Sequence, residues 1–153
     1  MIPYRNVLLA TDFSPTAREG AGHAAALASA EHARLHLLHV VEEFAYWESF
    51  NLKHFPSRDV FEELESNARI ALADLVRDAG LGTDVTTHVR RGKPFVEIVR
   101  AARELEADVL VIGSHGQSGL SETLFGSTAE KVVKKAPCAV LVVRHPEHTF
   151  VMP

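Results

Sequence analysis

Residues 109–112, Val-Leu-Val-Ile, constrain this 153-residue chain more than any other stretch. Four apolar residues in a row, three of them β-branched and none alternating with polar ones, describe a strand covered on both faces in a parallel sheet. The run ends at Gly113. The chain then reads Ser-His-Gly116, nine further residues and Gly126-Ser127-Thr128, followed by a helical spacing of apolar positions at Ala129, Val132, Val133 and Ala136. A strand that passes through a glycine-bearing loop into a helix is a junction where a parallel sheet can hold an anion.

The physical case rests on three residue types. Gly113 and Gly116 can take positive φ and lack a Cβ, so their backbone N–H groups can approach an anion closely. Gly126 does the same at the helix entrance, where the hydroxyls of Ser127 and Thr128 join the unpaired N–H groups and the positive end of the helix dipole. The spacing also fits a plainer role, in which the glycines turn the chain and Ser127 caps the helix. Neither of the two commoner phosphate loops is present. One needs Gly, four residues and Gly-Lys-Ser/Thr, and the other needs GxGxxG opening the helix directly. With Gly126 thirteen positions after Gly113, the loop is expected to fold over a ligand rather than under it.

The rest of the chain supplies the sheet. Asn6–Thr11 reads as a first strand, with Ser14 suited to cap a helix and Pro15 to its first position. That helix runs to about Glu31 with an alanine face at Ala17, Ala21, Ala24 and Ala28, and Arg34–Val41 is a second strand. Residues 42–57 break the rhythm with Phe44, Tyr46, Trp47, Phe50 and Phe55. They read as an insertion or lid, either packing over the open end of the sheet or offering a surface to a partner or ligand. A helix over about Arg58–Ala79 follows, with Phe61, Leu64, Ala68, Ala71, Leu75 and Ala79 on one face and a stop at Gly80. Asp84–Arg90 alternates as an edge strand does, and Gly92-Lys93-Pro94 opens a third helix with Phe95, Ile98, Val99, Ala102 and Leu105 inward. Strand 108–113, helix 127–136 and strand 138–143 complete the chain.

Strand and helix therefore alternate about five times. This calls for one α/β domain over residues 1–153, a Rossmann-like open five-stranded parallel sheet with helices on both faces. Ligands of such sheets bind beyond the strand carboxyl ends where the strand order reverses, so the first and fourth strands are expected to be neighbours there. Asp12, at the end of the first strand, suits hydrogen bonds from ribose hydroxyls or a divalent metal beside phosphates, and equally a turn cap ahead of Ser14.

Composition narrows the partners. A net charge of −4 and a pI near 6.1 give no general attraction to nucleic acid or anionic lipid, so neither is an expected partner. No apolar run approaches the roughly 20 residues that span a bilayer, and MIPYRNVLLATDF lacks the plan of a signal peptide, which reads as cytoplasmic. Cys138 is the sole cysteine. It excludes an intrachain disulfide and fits a small buried residue at a strand start, with a reactive thiol as the other reading. Nine histidines suggest a metal, but His36 and His39 face opposite sides of a strand, and His23, His32, His54, His88, His145 and His148 are scattered. They are assigned to surface or core. His115, inside the glycine loop, is within reach of a phosphate, though one histidine without a paired carboxylate says little about catalysis. No nucleophile elbow GxSxG occurs, nor SGGxDS or HIGH.

The ATDFS start at residues 10–14, the Gly113-x-x-Gly116, nine residues, Gly126-Ser127 spacing and the closing APCAVLVVR at 136–144 resemble the nucleotide-binding branch of the universal stress protein family. The resemblance covers nearly the whole chain. It implies the strand order 3-2-1-4-5 and an ATP site in which Ala10 and Thr11 line the pocket, Asp12 touches the nucleoside and the backbone of Val40 reads the adenine edge. His115 and the loop residues Gly113, Gly116, Gly126, Ser127 and Thr128 belong to the same expected site, with Mg or Mn as an optional companion of the phosphates near Asp12. It also implies a homodimer through the last strand, 138–143. The residues themselves agree, because that strand is a short apolar edge without the lysines or bulges that normally protect one. Either a second copy or the tail 145–153 should cover it. Three functions stand open. They are a regulatory or stress-response module that holds ATP and hydrolyses it slowly if at all, an interaction module using residues 44–55 or the last strand, and a weak metal-dependent ATPase.

Overall fold

In the computed structural model, residues 3–43, 58–116 and 126–145 are described. The aromatic segment 44–55, the loop 117–125 and the tail 146–153 lie outside the described residues. The elements are β1 (Asn6–Ala10), α1 (Pro15–Glu31), β2 (Arg34–Glu42), α2 (Arg58–Asp78), β3 (Val85–Gly92), α3 (Pro94–Glu104), β4 (Val109–Gly113), α4 (Ser127–Lys135) and β5 (Ala139–Val143). The five strands form one sheet in the order β3-β2-β1-β4-β5, and every adjacent pair is parallel. The expected fold class and strand order are those observed.

Period-two alternation sorts each strand between two cores. Val7 and Leu9 of β1, Leu35 and Leu37 of β2 and Val109 and Val111 of β4 face α1 and α2. Leu8, Leu38, Leu110 and Ile112 face α3 and α4. Because both faces of β1 and β4 are covered, both strands read as unbroken apolar runs; Val7, Leu8, Leu9, Leu110 and Val111 have no exposed surface. The alanine face of α1 is buried as expected, and its small size brings the helix close to the sheet. A Cβ added at Gly20 would come within 3.3 Å of Leu9 Cδ1.

Some boundaries and faces differ from the sequence reading. On α2 the buried positions are Phe61, Ala68, Leu72 and Leu75, so Leu72 takes the place expected of Ala71. At 3.6 residues per turn Leu72 lies about 20° round the helix from Phe61 and Ala71 about 80°. Ala79 falls beyond the helix end, where Leu81 N–H donates to Val76 O and Gly80 takes φ +60°, as a left-handed helix stop requires. On α3, Ala101 is buried where Val99 was expected. Strand β1 ends one residue early, at Ala10, although Thr11 N–H still reaches Leu38 O. The third strand runs on to Gly92 rather than Arg90, α4 stops at Lys135, and β5 begins at Ala139, leaving the half-buried Cys138 just ahead of it. Burial pushes the Cys138 thiol up, with Asp108 adding to the effect, so it stays a protonated, weakly nucleophilic thiol at neutral pH.

Candidate functional site: a cleft at the reversal of strand order

The order 3-2-1-4-5 makes β1 and β4 neighbours whose crossovers leave on opposite faces of the sheet, and their carboxyl ends open a cleft of about 670 Å³. That volume suits a ligand of nucleotide size. Every residue named from the sequence borders it: Ala10, Thr11, Asp12, Val40, Gly113, His115, Gly116, Gly126, Ser127 and Thr128.

The β1–α1 turn forms one wall. Ser14 caps α1 as expected, its Oγ accepting from Ala17 N–H at 3.2 Å, with Pro15 at the first helical position. Asp12 Oδ1 accepts from Ser14 N–H at 3.0 Å, so the carboxylate stabilises the turn. Its other oxygen faces the second wall: a Cβ added at Gly116 would lie 2.5 Å from Asp12 Oδ2.

The second wall is the start of the β4–α4 loop and its end. None of the three signature glycines has positive φ; among the described glycines that conformation belongs to Gly80, Gly82 and Gly92. Their lack of a side chain serves proximity instead. A Cβ on Gly113 would meet the backbone N of Ala17 at 3.2 Å, and one on Gly126 would meet Ser114 O at 3.3 Å. Gly126, and not Ser127, is the N-cap of α4, and among the described residues no side chain makes a cap hydrogen bond there. Gly126 N–H donates to Ser114 O at 2.7 Å, so this N–H, expected to approach an anion, is engaged within the chain. The helix rule leaves the N–H groups of Ser127, Thr128 and Ala129 without intrahelical acceptors. Ser114 itself is buried, its N–H donating to Val143 O at 2.8 Å and its Oγ 2.9 Å from His115 Nδ1. The first residue of the loop is thereby fixed to β5.

Several lining residues were not anticipated. Phe13, Glu42, Pro94, Ile98 and Ser114 border the cleft. So does His39, which the sequence reading assigned to surface or core. Its Nδ1 lies 2.8 Å from Thr11 O, and a carbonyl can only accept, so Nδ1 carries the proton. Burial lowers its pKa, opposed by the hydrogen bond to Thr11 and the charge of Asp12. The available signal was position: His39 precedes Val40 near the carboxyl end of the strand beside β1. His36 does face the opposite side from His39, but it is not isolated. Its Nδ1 lies 3.1 Å from His88 Nε2 on β3, a pairing across strands that spacing along one strand cannot reveal. Among the described residues, no group of three or more His, Cys, Asp or Glu side chains is arranged to hold a metal ion, and no helix is long and apolar enough to cross a membrane.

An open parallel sheet with a cleft at its reversal of strand order, walled by a carboxylate-bearing turn and a helix start, defines an α/β protein of the open-sheet type, whose members take their ligands beyond the strand carboxyl ends. The profile of the universal stress protein family matches residues 3–144, and the chain belongs to that family. It is 33% identical over 146 residues to universal stress protein MJ0531 of Methanocaldococcus jannaschii, an alignment covering 94% of this chain and 84% of the relative. The fold superimposes on the solved structure of protein MJ0577 with a TM-score of 0.80 at 30% identity, covering 96% of this chain and all of the other. A universal stress protein solved in complex with cAMP aligns with a TM-score of 0.61 at 27% identity over 93% of this chain and 98% of its own.

Proposed function

We propose that this protein is a regulatory, stress-response module that binds ATP in the cleft and hydrolyses it slowly or not at all. The observation that carries the reading is the uncapped N-terminus of α4, with Ser127 and Thr128 beside it, across the same cleft from Asp12. Phosphates would take the first-turn N–H groups and the two hydroxyls; Asp12 would accept from the ribose hydroxyls, and the backbone of Val40 would meet the adenine edge. The tight fit at Gly116, where any Cβ would press on Asp12, agrees with a cradle kept free of side chains. That a similar universal stress protein was solved in complex with cAMP supports a nucleotide as the ligand. Mg or Mn, where present, would ride on the phosphates near Asp12, since one carboxylate suffices for an ion that keeps most of its water. His115 is half-buried and bonded through Nδ1 to Ser114, an arrangement suited to shaping the loop rather than to activating water.

We also propose a homodimer through β5 in the cytoplasm. Strand β5 is an edge, with Val140, Leu141 and Val142 only half-buried in the single chain. Pairing two copies about a two-fold axis would satisfy their backbone groups. Mass spectrometry of the purified protein for co-purifying nucleotide, followed by calorimetry with ATP, ADP and AMP, tests the first proposal. ATP should bind tightest, and equal affinity for all three would remove the phosphate cradle. Sedimentation equilibrium at tens of micromolar tests the second, which fails if the mass stays near the 16.8 kDa of one chain.

A further inference from the structure

The β1–α1 turn contains a conformation that its sequence alone does not require. Phe13 has φ +63°, a left-handed backbone that bulky side chains seldom adopt and that persists only where the surroundings enforce it. The enforcing group comes from another strand. His39, on β2, donates from Nδ1 to Thr11 O at 2.8 Å, and its ring stacks on Phe13 with centroids 4.6 Å apart and planes inclined by 30°. The imidazole therefore grips the turn at the residues immediately before and after Asp12. Between those two points the backbone closes on itself, Phe13 N–H donating to Thr11 Oγ1 at 3.1 Å and Ser14 N–H to Asp12 Oδ1 at 3.0 Å. With Oδ1 committed to Ser14, the second carboxylate oxygen is held toward Gly116.

We infer that His39 is a positioning residue: reaching across from β2, it holds the strained turn so that the Asp12 carboxylate is already aimed at the vicinal hydroxyls of a ribose before the nucleoside arrives. The inference rests on the nucleotide reading for its ligand and on the turn's own geometry for its mechanism. An aliphatic side chain at position 39 would fill space against Phe13 but remove the donor to Thr11. Asparagine would keep an N–H donor close to the position of Nδ1 while losing most of the stack. Because a preformed carboxylate need not be ordered at binding, the contribution appears in affinity.

Two measurements decide this, on the ligand-free protein and on the ATP complex. Amide exchange by NMR without ligand should show the Ser14 amide exchanging about tenfold faster in His39→Leu and near the wild-type rate in His39→Asn. Phe13→Gly, which tolerates positive φ but lacks the ring, should be intermediate and serves where the leucine variant folds poorly. Calorimetry with ATP should then show about a tenfold loss for His39→Leu in the native background, shrinking to under twofold in an Asp12→Ala background, as expected if His39 acts through Asp12. Equal losses in the two backgrounds, or unchanged Ser14 exchange in His39→Leu, overturn the inference. If the wild type binds no ATP while the exchange pattern holds, the nucleotide reading fails and the grip of His39 on the turn stands.

Discussion

Two helices begin at the same cleft and end their unpaired N–H groups in opposite ways. At α1 the chain satisfies itself, with Ser14 Oγ on Ala17 N–H and Asp12 Oδ1 on Ser14 N–H. At α4 the cap is Gly126, whose N–H is tied back to Ser114 O and which makes no side-chain cap hydrogen bond. The dipoles at both starts favour an anion, but of these two it is α4 whose N-cap residue offers no side-chain acceptor. The difference shows that a helix start becomes an anion site through what is omitted from the cap. It also assigns the α1 junction another task, that of holding a carboxylate in place.

The sharpest way to break this contrast is Gly126→Val. A Cβ there already sits 3.3 Å from Ser114 O, and a branched side chain would force apart the junction that aims the α4 donors. Loss of measurable ATP binding by calorimetry, with helix content unchanged by circular dichroism, is expected; retained affinity would mean the ligand lies elsewhere. Gly116→Ala should come next, with a loss of tens of fold, because its Cβ would stand 2.5 Å from Asp12 Oδ2 and must displace the carboxylate. Its effect should vanish in an Asp12→Ala background, and persistence there would point to a different contact.

Removing hydroxyls separates the two helix starts directly. Ser127→Ala with Thr128→Ala should weaken ATP by roughly 1–3 kcal/mol in total, given the usual worth of hydrogen bonds to charged groups and the retained N–H donors, with little change in thermal midpoint. Ser14→Ala should do the reverse, costing about 1 kcal/mol of stability as a lost N-cap does while leaving affinity within a few-fold. Chemical denaturation and calorimetry on both variants would show whether the contrast holds, and a swap of the two phenotypes would invert it.

The smallest expected effect lies away from the cleft and serves as its control. Burial lowers the pKa of both His36 and His88 from 6.5, assisted at His36 by the neighbouring His88 and Arg34 and at His88 by Arg90. The unfolded chain then binds more protons than the folded one, so the stability tied to this pair is complete above about pH 6.5 and declines as pH falls through the lowered folded values. Denaturation midpoints measured between pH 7.5 and 5 should fall, and His36→Gln with His88→Gln should flatten the slope without moving ATP affinity at pH 7.5. An unchanged slope in the double variant would assign the pH dependence to other groups.

What the sequence by itself determined follows from periodicity and local chemistry. The unbroken apolar run at 109–112 meant a strand buried on both faces, five alternations of strand and helix meant a parallel sheet, and Ser14-Pro15 and Gly80 marked a helix start and a helix end because caps act within a few residues of chain. The positions bordering the cleft were legible for the same reason, since strand carboxyl ends and glycine spacing are local features. Only the tertiary structure could decide what depends on the distance between elements. The three signature glycines turned out to serve close approach rather than positive φ, because Gly113 meets α1 and Gly116 meets Asp12 across the sheet reversal. Leu72 displaced Ala71 because the rotation of α2 is set by the surface on which it packs. His39 and the His36–His88 pair drew their roles from neighbours 28 and 52 residues away in the chain, a separation over which no local pattern in the sequence carries information.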